Sequence, residues 1–311
     1  MMIAKPSCAE IRQGITYITV CVCTYKRPQY LTKLLTELAS QDTCGRFSFS
    51  VVVVDNDISR SAEDVVRQFS ASSLLHVKYY SEARQGIALA RNKAVENADG
   101  EFLAFIDDDE FPAKDWLITL LGVCETYGVD GVLGPVRPHY VEQTPGWVRK
   151  GKFYDRPVMP TGHTVEWRNA RTGNVLLKRD VFASDEPAFR TEFRSGEDQD
   201  FFRRMIEKGR LFVWSRDAVV YEVVPPSRWN RKFMLRRALL RGASAALDPT
   251  LGAYGIAKSV IAIPIYMVAL PLMLVLGHHR FMKVMVKLCD HSGKLLALVG
   301  ANPIRQPYIT G

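Results

Sequence analysis

Three consecutive carboxylates, Asp107, Asp108 and Asp109, end the apolar run Phe102-Leu-Ala-Phe-Ile106 and are followed by Glu110, Phe111 and the turn residue Pro112. The apolar run reads as a buried strand, and adjacent like charges at its end repel one another. A hard divalent cation with oxygen ligands would neutralise them; a solvated acidic turn is the alternative. Position favours a site, because open α/β sheets bind ligands at the carboxyl ends of their strands. Two other strand-like runs end in groups of the same kind: Ile18 to Thr24 in a hydroxyl, and Phe49 to Val54 in Asp55-Asn56-Asp57. Farther on, Gly196-Glu197-Asp198-Gln199-Asp200 opens a helical pattern. Carboxylates there suit the positive helix end for capping reasons alone, or one of them serves as a general base. Together these groups match a nucleoside diphosphate leaving a sugar. Thr24 and Asp55 would meet the nucleoside, Asp107–Asp109 with a cation the ribose and pyrophosphate, and Asp198 the attacking hydroxyl, which is sufficient equipment for displacement at an anomeric carbon.

The elements that must position these residues are legible from periodicity. Leu31, Leu34, Leu35 and Leu38 fall at helical spacing after the first strand. Four successive valines, Val51–Val54, imply burial on both faces, as in a parallel strand. A helix near Ser61–Phe69, a short strand Leu75–Tyr80, a helix opening at Arg84-Gln-Gly86, the aspartate strand and a helix bearing Trp116, Leu117, Leu120, Leu121 and Cys124 follow. Strand and helix alternate four times, which builds a parallel sheet with right-handed crossovers and sets Thr24, Asp55 and Asp107 along one edge. From Val132 to Gly173 five prolines break the pattern, so loop and irregular strand are expected before the strand Asn174–Lys178.

In order and spacing, "VCVCTYKRPQYLTKLL", "VVVVDND", "RQGIALARNKA", "FLAFIDDDEFP", "TGNVLLKRDVF" and "GEDQDFFRRM" resemble the family-2 inverting glycosyltransferases of GT-A fold. The likeness is greatest to bacterial members that build exopolysaccharide repeat units, the succinoglycan-type glucosyltransferases among them. It covers residues from about 16 to 245. The resemblance implies an α/β nucleotide-sugar-binding domain with Thr24 and Asp55 on the nucleoside and Arg84 beside the uracil or diphosphate. It also implies Asp107–Asp109 as the DxD-type motif with Asp109 on Mg2+ or Mn2+, and Asp198 as the catalytic base. The donor it implies is a UDP-sugar, with glucose as the expected hexose, and the acceptor a polyprenyl-linked oligosaccharide. Two departures stand out. Processive members carry QxxRW after the acidic pair, whereas Pro225-Pro-Ser-Arg228-Trp229 lacks the Gln, which favours transfer of one sugar. Where many relatives place a metal-ligating His after a later strand, this chain has Glu222, either an oxygen ligand or a strand-end charge.

The 311 residues carry a net charge of +8, but residues 225–311 hold twelve Lys and Arg against two Asp and Glu. The remainder is slightly acidic, so the cationic part is the tail and its expected partner is an anionic membrane surface, not nucleic acid. Ser259 to Gly277 is uncharged, interrupted by Pro264 and Pro271, and basic on both flanks, which suits a re-entrant or in-plane helix better than a single crossing; a buried soluble helix is the bland alternative. The expected division is an extension over 1–15, a transferase domain over 16–245 and a membrane-associated tail over 246–311. Six cysteines show no CxxC or zinc spacing, and residues 1–13 show no apolar leader, so buried thiols and the cytoplasmic face of a bacterial inner membrane are expected. Two other classes compete. A sugar-1-phosphate nucleotidyltransferase would be expected to show a glycine-rich phosphate loop where Tyr25-Lys-Arg-Pro28 stands, and a non-catalytic scaffold would have no use for Asp55, Asp109 and Asp198 together.

Overall fold

The computed structural model describes residues 14–183, 186–193, 196–246 and 251–301. Its strands are β1 (Thr16–Thr24), β2 (Phe47–Asp55), β3 (Val77–Ser81), β4 (Phe102–Asp107), β5 (Glu110–Pro112), β6 (Gly131–Leu133), β7 (Val136–His139), β8 (Asn174–Lys178), β9 (Phe212–Trp214) and β10 (Val220–Val223). Its α-helices are α1 (Pro28–Ala39), α2 (Glu63–Ser72), α3 (Ile87–Glu96), α4 (Trp116–Tyr127), α5 (Gly146–Gly151), α6 (Glu197–Glu207), α7 (Arg231–Ala245), α8 (Ala253–Val275) and α9 (His278–Leu298). The chain divides into two compact units, one of residues up to 137 with 156–222, the other of 138–155 with 223 onward.

The first unit is built on a seven-stranded sheet in the order β3-β2-β1-β4-β8-β6-β9. β1, β2, β3 and β4 run parallel, as the βα alternation requires, and β8 enters antiparallel between β4 and β6. The register sets Thr24 opposite Asp55 and Cys23 opposite Asp107, so the expected carboxylate edge is present. Val51 and Val53 join one core with the four leucines of α1, while Val52 and Val54 join a second core with the alanines of α3 on the other face. Each such fully buried side chain contributes about 1.5–3 kcal/mol, which is why the run Val51–Val54 is unbroken by a polar residue until the strand reaches the edge at Asp55. β6 and β9 add to the sheet within or beyond the stretch expected to be irregular. β5 pairs antiparallel with β10, which places Glu222 inside a strand and opposite Glu110. Cys21 is buried in the second core and Cys23 packs partly against it.

The second unit begins at residue 223 and takes in 138–155, so the transferase-to-tail boundary expected at 245/246 does not coincide with a boundary between compact units. Its core gathers Val148, Met234 and Met282 with Trp147, Phe233 and Phe281 around them. α7 and α9 approach closely. A Cβ at Gly242 would lie 2.0 Å from the Asp290 carbonyl oxygen and one at Gly293 2.2 Å from that of Leu239, so only glycine permits this backbone contact. The Arg241–Asp290 ion pair, 2.7 Å, closes the same seam. α8 is one continuous helix through Pro264 and Pro271. Residues 1–13, which include most of the expected extension, and residues 194 and 195 ahead of the acidic pair lie outside the described residues.

Candidate active site

The turn after β1 sets the first contact. Lys26 takes φ 55°, uncommon for a residue with a Cβ, and Pro28 then starts α1 at its first turn, where a missing N–H costs nothing. Arg27 between them donates to Asp108 Oδ1 and Asp109 Oδ2, both at 3.2 Å. Thr24 Oγ1 donates to the other Asp108 oxygen at 2.7 Å. The aspartates are therefore held by side chains and are not a solvated turn: Asp108 and Asp109 are 5% and 6% exposed. Burial pushes the Asp108 carboxyl up, against the pull of Arg27 and Thr24.

Asp107 is the accessible member, with its side chain 45% exposed and Arg91 at 3.7 Å. Arg91 rises from the alanine-lined face of α3 and pairs with Glu197 at the start of α6. Burial opposes its charge, but Glu197, Asp107 and Asp198 outweigh that and hold the guanidinium cationic. One buried arginine thus ties the DxD strand to the helix of the acidic pair. α6 itself is anchored by Phe201 and Phe202, packed among Phe182, Phe189 and Phe212. The three carboxylates of its first turn then part ways. Asp200 is bound by Arg203 and Arg204, each at 2.9 Å, and Glu197 by Arg91. Asp198 accepts only its neighbour's N–H, from Gln199 at 2.8 Å, and among the described residues no arginine or lysine lies within ion-pair distance of it.

The remaining sequence candidates separate. Asp55 has no exposed surface; its carboxylate accepts from the N–H groups of Ala62 and Asp57 and from the Tyr79 hydroxyl, so it braces the loop after β2 from below. Burial raises its pKa despite those bonds. Arg84 stands on the surface near it: its carbonyl accepts from Asn56 Nδ2 at 2.8 Å, and its guanidinium lies 3.3 Å from Glu82. Glu222 is 7% exposed and salt-bridged to Arg156 at 2.7 Å, which is inconsistent with a solvated strand-end charge.

Sequence reasoning passed over Glu110, Arg27, Arg91, Arg156 and Arg171. Glu110 is buried, accepts from the Asp107 N–H through Oε2, and leaves Oε1 without a hydrogen bond. Burial, with Asp107 and Glu222 nearby, drives its pKa well up. Arg156 and Arg171 line a cavity of about 100 Å³ with Gly134, Pro135, Asn174 and Trp214. Asn174 in that lining donates to the carbonyls of Pro135 and Ala218 and accepts from Trp116 Nε1.

Carboxylates outnumber arginines around this edge, and every candidate ligand is oxygen, which fits a hard divalent cation. Among the described residues no three ligating side chains converge in advance. Mg2+-type sites do not require that, since one or two carboxylates plus substrate phosphates commonly suffice.

Residues 19–183 match the family model described as glycosyl transferase family 2. The chain is 36% identical over 228 residues to the succinoglycan biosynthesis protein ExoM of Rhizobium meliloti (strain 1021), a match covering 73% of each. It is 27% identical over 206 residues to the glycosyltransferase AglE of Haloferax volcanii, covering 66% of each. Among solved structures it is similar to the mannosyltransferase PcManGT of Pyrobaculum calidifontis in complex with GDP-Man and Mn2+, with TM-score 0.64, 18% identity and coverage of 96% of this chain and 90% of the other. It is also similar to S. aureus TarS 1-349 in complex with UDP, with TM-score 0.52, 18% identity and 93% of each covered. At such identities the structures speak for the fold alone, whereas the family match runs from within β1 through β8 and takes in Thr24, Asp55 and Asp107–Asp109, ending ahead of α6. The chain belongs to glycosyl transferase family 2, and its mostly parallel sheet is of the GT-A kind.

Proposed function

We propose that this protein is an inverting, non-processive transferase that moves one hexose, glucose as the expected sugar, from a UDP-sugar to a lipid-linked oligosaccharide in bacterial exopolysaccharide assembly. The observation that carries the mechanism is the division of labour in the first turn of α6. Arg91 pairs with Glu197, Arg203 and Arg204 pair with Asp200, and Asp198 has no arginine or lysine within ion-pair distance among the described residues. A general base needs that freedom, since an ion-paired carboxylate gives up proton affinity. Asp198 takes the proton of the acceptor hydroxyl as that oxygen attacks the anomeric carbon from the face opposite UDP.

The nucleoside is proposed to lie across the β1–β2 edge, where Thr24 faces Asp55 in register, with Arg84 at the rim. Asp55 contributes by fixing the loop wall, and Asp107 and Asp108 orient the diphosphate. Asp109, with Asp107 and Glu222 as further candidates, would hold Mg2+ or Mn2+, which supplies Lewis-acid stabilisation of the departing UDP. Support for a nucleotide-sugar donor comes from the complexes of TarS with UDP and UDP-GlcNAc and of PcManGT with GDP-Man and Mn2+. Support for exopolysaccharide assembly comes from the succinoglycan relative. The apolar α8 and the basic tail support work at a membrane, and the cytoplasmic face is part of the proposal.

The test is release of UDP from a panel of UDP-sugars, with and without Mn2+, using membrane extract as the acceptor source. Metal-dependent UDP release with one donor is expected, and no turnover with any nucleotide sugar, GDP-mannose included, sinks the transferase reading. Asp198→Asn should lower kcat by about 10²–10⁴-fold, or roughly 3–5 kcal/mol in the barrier, with UDP affinity unchanged. Near-wild-type turnover in that variant would reassign the base.

A further inference from the structure

α8 buries only one stripe. Ser259 is fully buried and its hydroxyl lies 3.0 Å from His291 Nδ1 of α9, and Tyr266 lies between His291 and Lys287 of the same helix. The opposite face is open from Val260 to Val275 and wholly uncharged, with Val268 81% and Val275 85% exposed. Such a face on a helix of 23 residues is long enough to cross a bilayer, or to lie along one.

The neighbour decides between these. Tyr266 sits near the middle of α8, and the residues beside it are the Lys287 ammonium, 6.0 Å from the ring centroid, and the His291 imidazole, 5.8 Å away. α9 therefore runs alongside α8, and a crossing α8 would draw Lys287 and His291 to the bilayer midplane. Exposed Lys283 and half-buried Asp290, which is held by Arg241 of α7, would follow. Charged side chains at that depth are costly and are tolerated chiefly where a bundle interior or aqueous cavity shelters them. Laid flat, the same arrangement has no conflict. The apolar face meets acyl chains, while Lys258, Arg280, Lys283 and Lys287, all exposed, remain at headgroup level. Their shared positive sign selects an anionic surface.

We infer that α8 lies in the plane of an anionic lipid bilayer, its open face sunk to the acyl boundary and α9 riding above it, and that it does not cross. The inference deepens the membrane placement proposed above, and its test needs neither donor nor acceptor, so it can fail while the transferase reading stands.

Ile261, Val268 and Val275 are heptad-spaced on the open face, about 21 Å from first to last along the axis at ~1.5 Å per residue. Single cysteines at these three positions, in the full-length chain with its native cysteines replaced, would be nitroxide-labelled and bound to vesicles of equal phosphatidylglycerol and phosphatidylcholine. Equal, shallow immersion of all three is expected. A graded depth with 268 deepest overturns the inference in favour of a crossing. Labels left in water, or broadened by each other across a second copy of the chain, overturn it in favour of a soluble or dimeric face. Flotation of the unaltered chain with the same vesicles guards against misfolding of the labelled one. Lys283→Gln with Lys287→Gln should weaken that binding roughly 30-fold, and equal flotation with pure phosphatidylcholine removes the anionic surface from the inference.

Discussion

Replacing Arg91 by methionine retains a long apolar stem and deletes the charge. Arg91 and Glu197 are 7% and 4% exposed, so the change strands a carboxylate in the interior and removes the cation beside Asp107 as well. Removing one partner of a buried ion pair typically costs about 3–5 kcal/mol, because the other charge stays desolvated. In a unit of this size each kcal/mol lowers Tm by about 2–4 °C, which gives a fall of roughly 6–20 °C. Glu197→Gln alone should cost less, since Arg91 keeps Asp107. The double variant should recover most of the loss, because the buried Glu197 charge is gone and Asp107 is half-exposed to water, and the coupling energy of the cycle should approach the upper end of the usual ~0.5–3 kcal/mol for contacting residues. Thermal and urea unfolding of the four proteins measures it. Additive single effects, with no recovery in the double variant, would refute the claim that this pair ties β4 to α6.

Asp109→Ala should abolish Mn2+-dependent tightening of UDP binding in calorimetry while the thermal transition persists; unchanged Mn2+ dependence would place the metal elsewhere. The Tyr79 phenol, pushed up to about 12 by burial and by Asp55, should ionise late in an ultraviolet titration, and Tyr79→Phe identifies its share of the late signal. The sign follows: this phenol's contribution to stability is complete below pH 10 and fades as pH rises toward 12, so Tyr79→Phe should flatten the alkaline limb of the stability profile. Gly293→Ala should destabilise the second unit by about 1–3 kcal/mol, since the added methyl group meets backbone and not a flexible side chain, and an unshifted transition would show that α7 and α9 can move apart.

The half of the sheet made by β1 to β4 was legible because β1, β2 and β4 each carry an unbroken apolar run and helical patterns separate the four strands. Thr24, Asp55 and Asp107 could be placed on one edge from that pattern alone. β6 and β9 were not legible: three residues each carry no periodicity, and their membership depends on β8 turning antiparallel, which a crossover decides and local sequence does not. Glu222 appeared as a residue after a strand because the pairing that makes it part of β10 is with β5, more than a hundred residues earlier. The arginines were harder, since an arginine in a helix or loop is ordinarily a surface residue. Arg91 did carry a signal. It lies three residues from both Ala88 and Ala94, on the stripe that α3 buries, and a cation on an apolar stripe calls for a buried anion. Arg156 carried none, because the fold of its loop is set by the partner it finds, Glu222.

Asn174 has a bearing on how such a site can diverge. Its side chain joins the β6–β7 turn, the segment ahead of β10 and the Trp116 indole in one junction, and Gly134 lies so close that a Cβ there would come within 2.4 Å of Asn174 Nδ2. A change at Asn174 disturbs three elements together. Arg171, by contrast, reaches the same cavity from a loop and, among the described residues, donates only to the carbonyls of Arg168 and Ala170, whereas Arg156 is tied to the buried Glu222 of β10. Variation in this scaffold should therefore be tolerated at Arg171 sooner than at Gly134, Asn174 or Arg156, and that loop is where the cavity has most room to change shape.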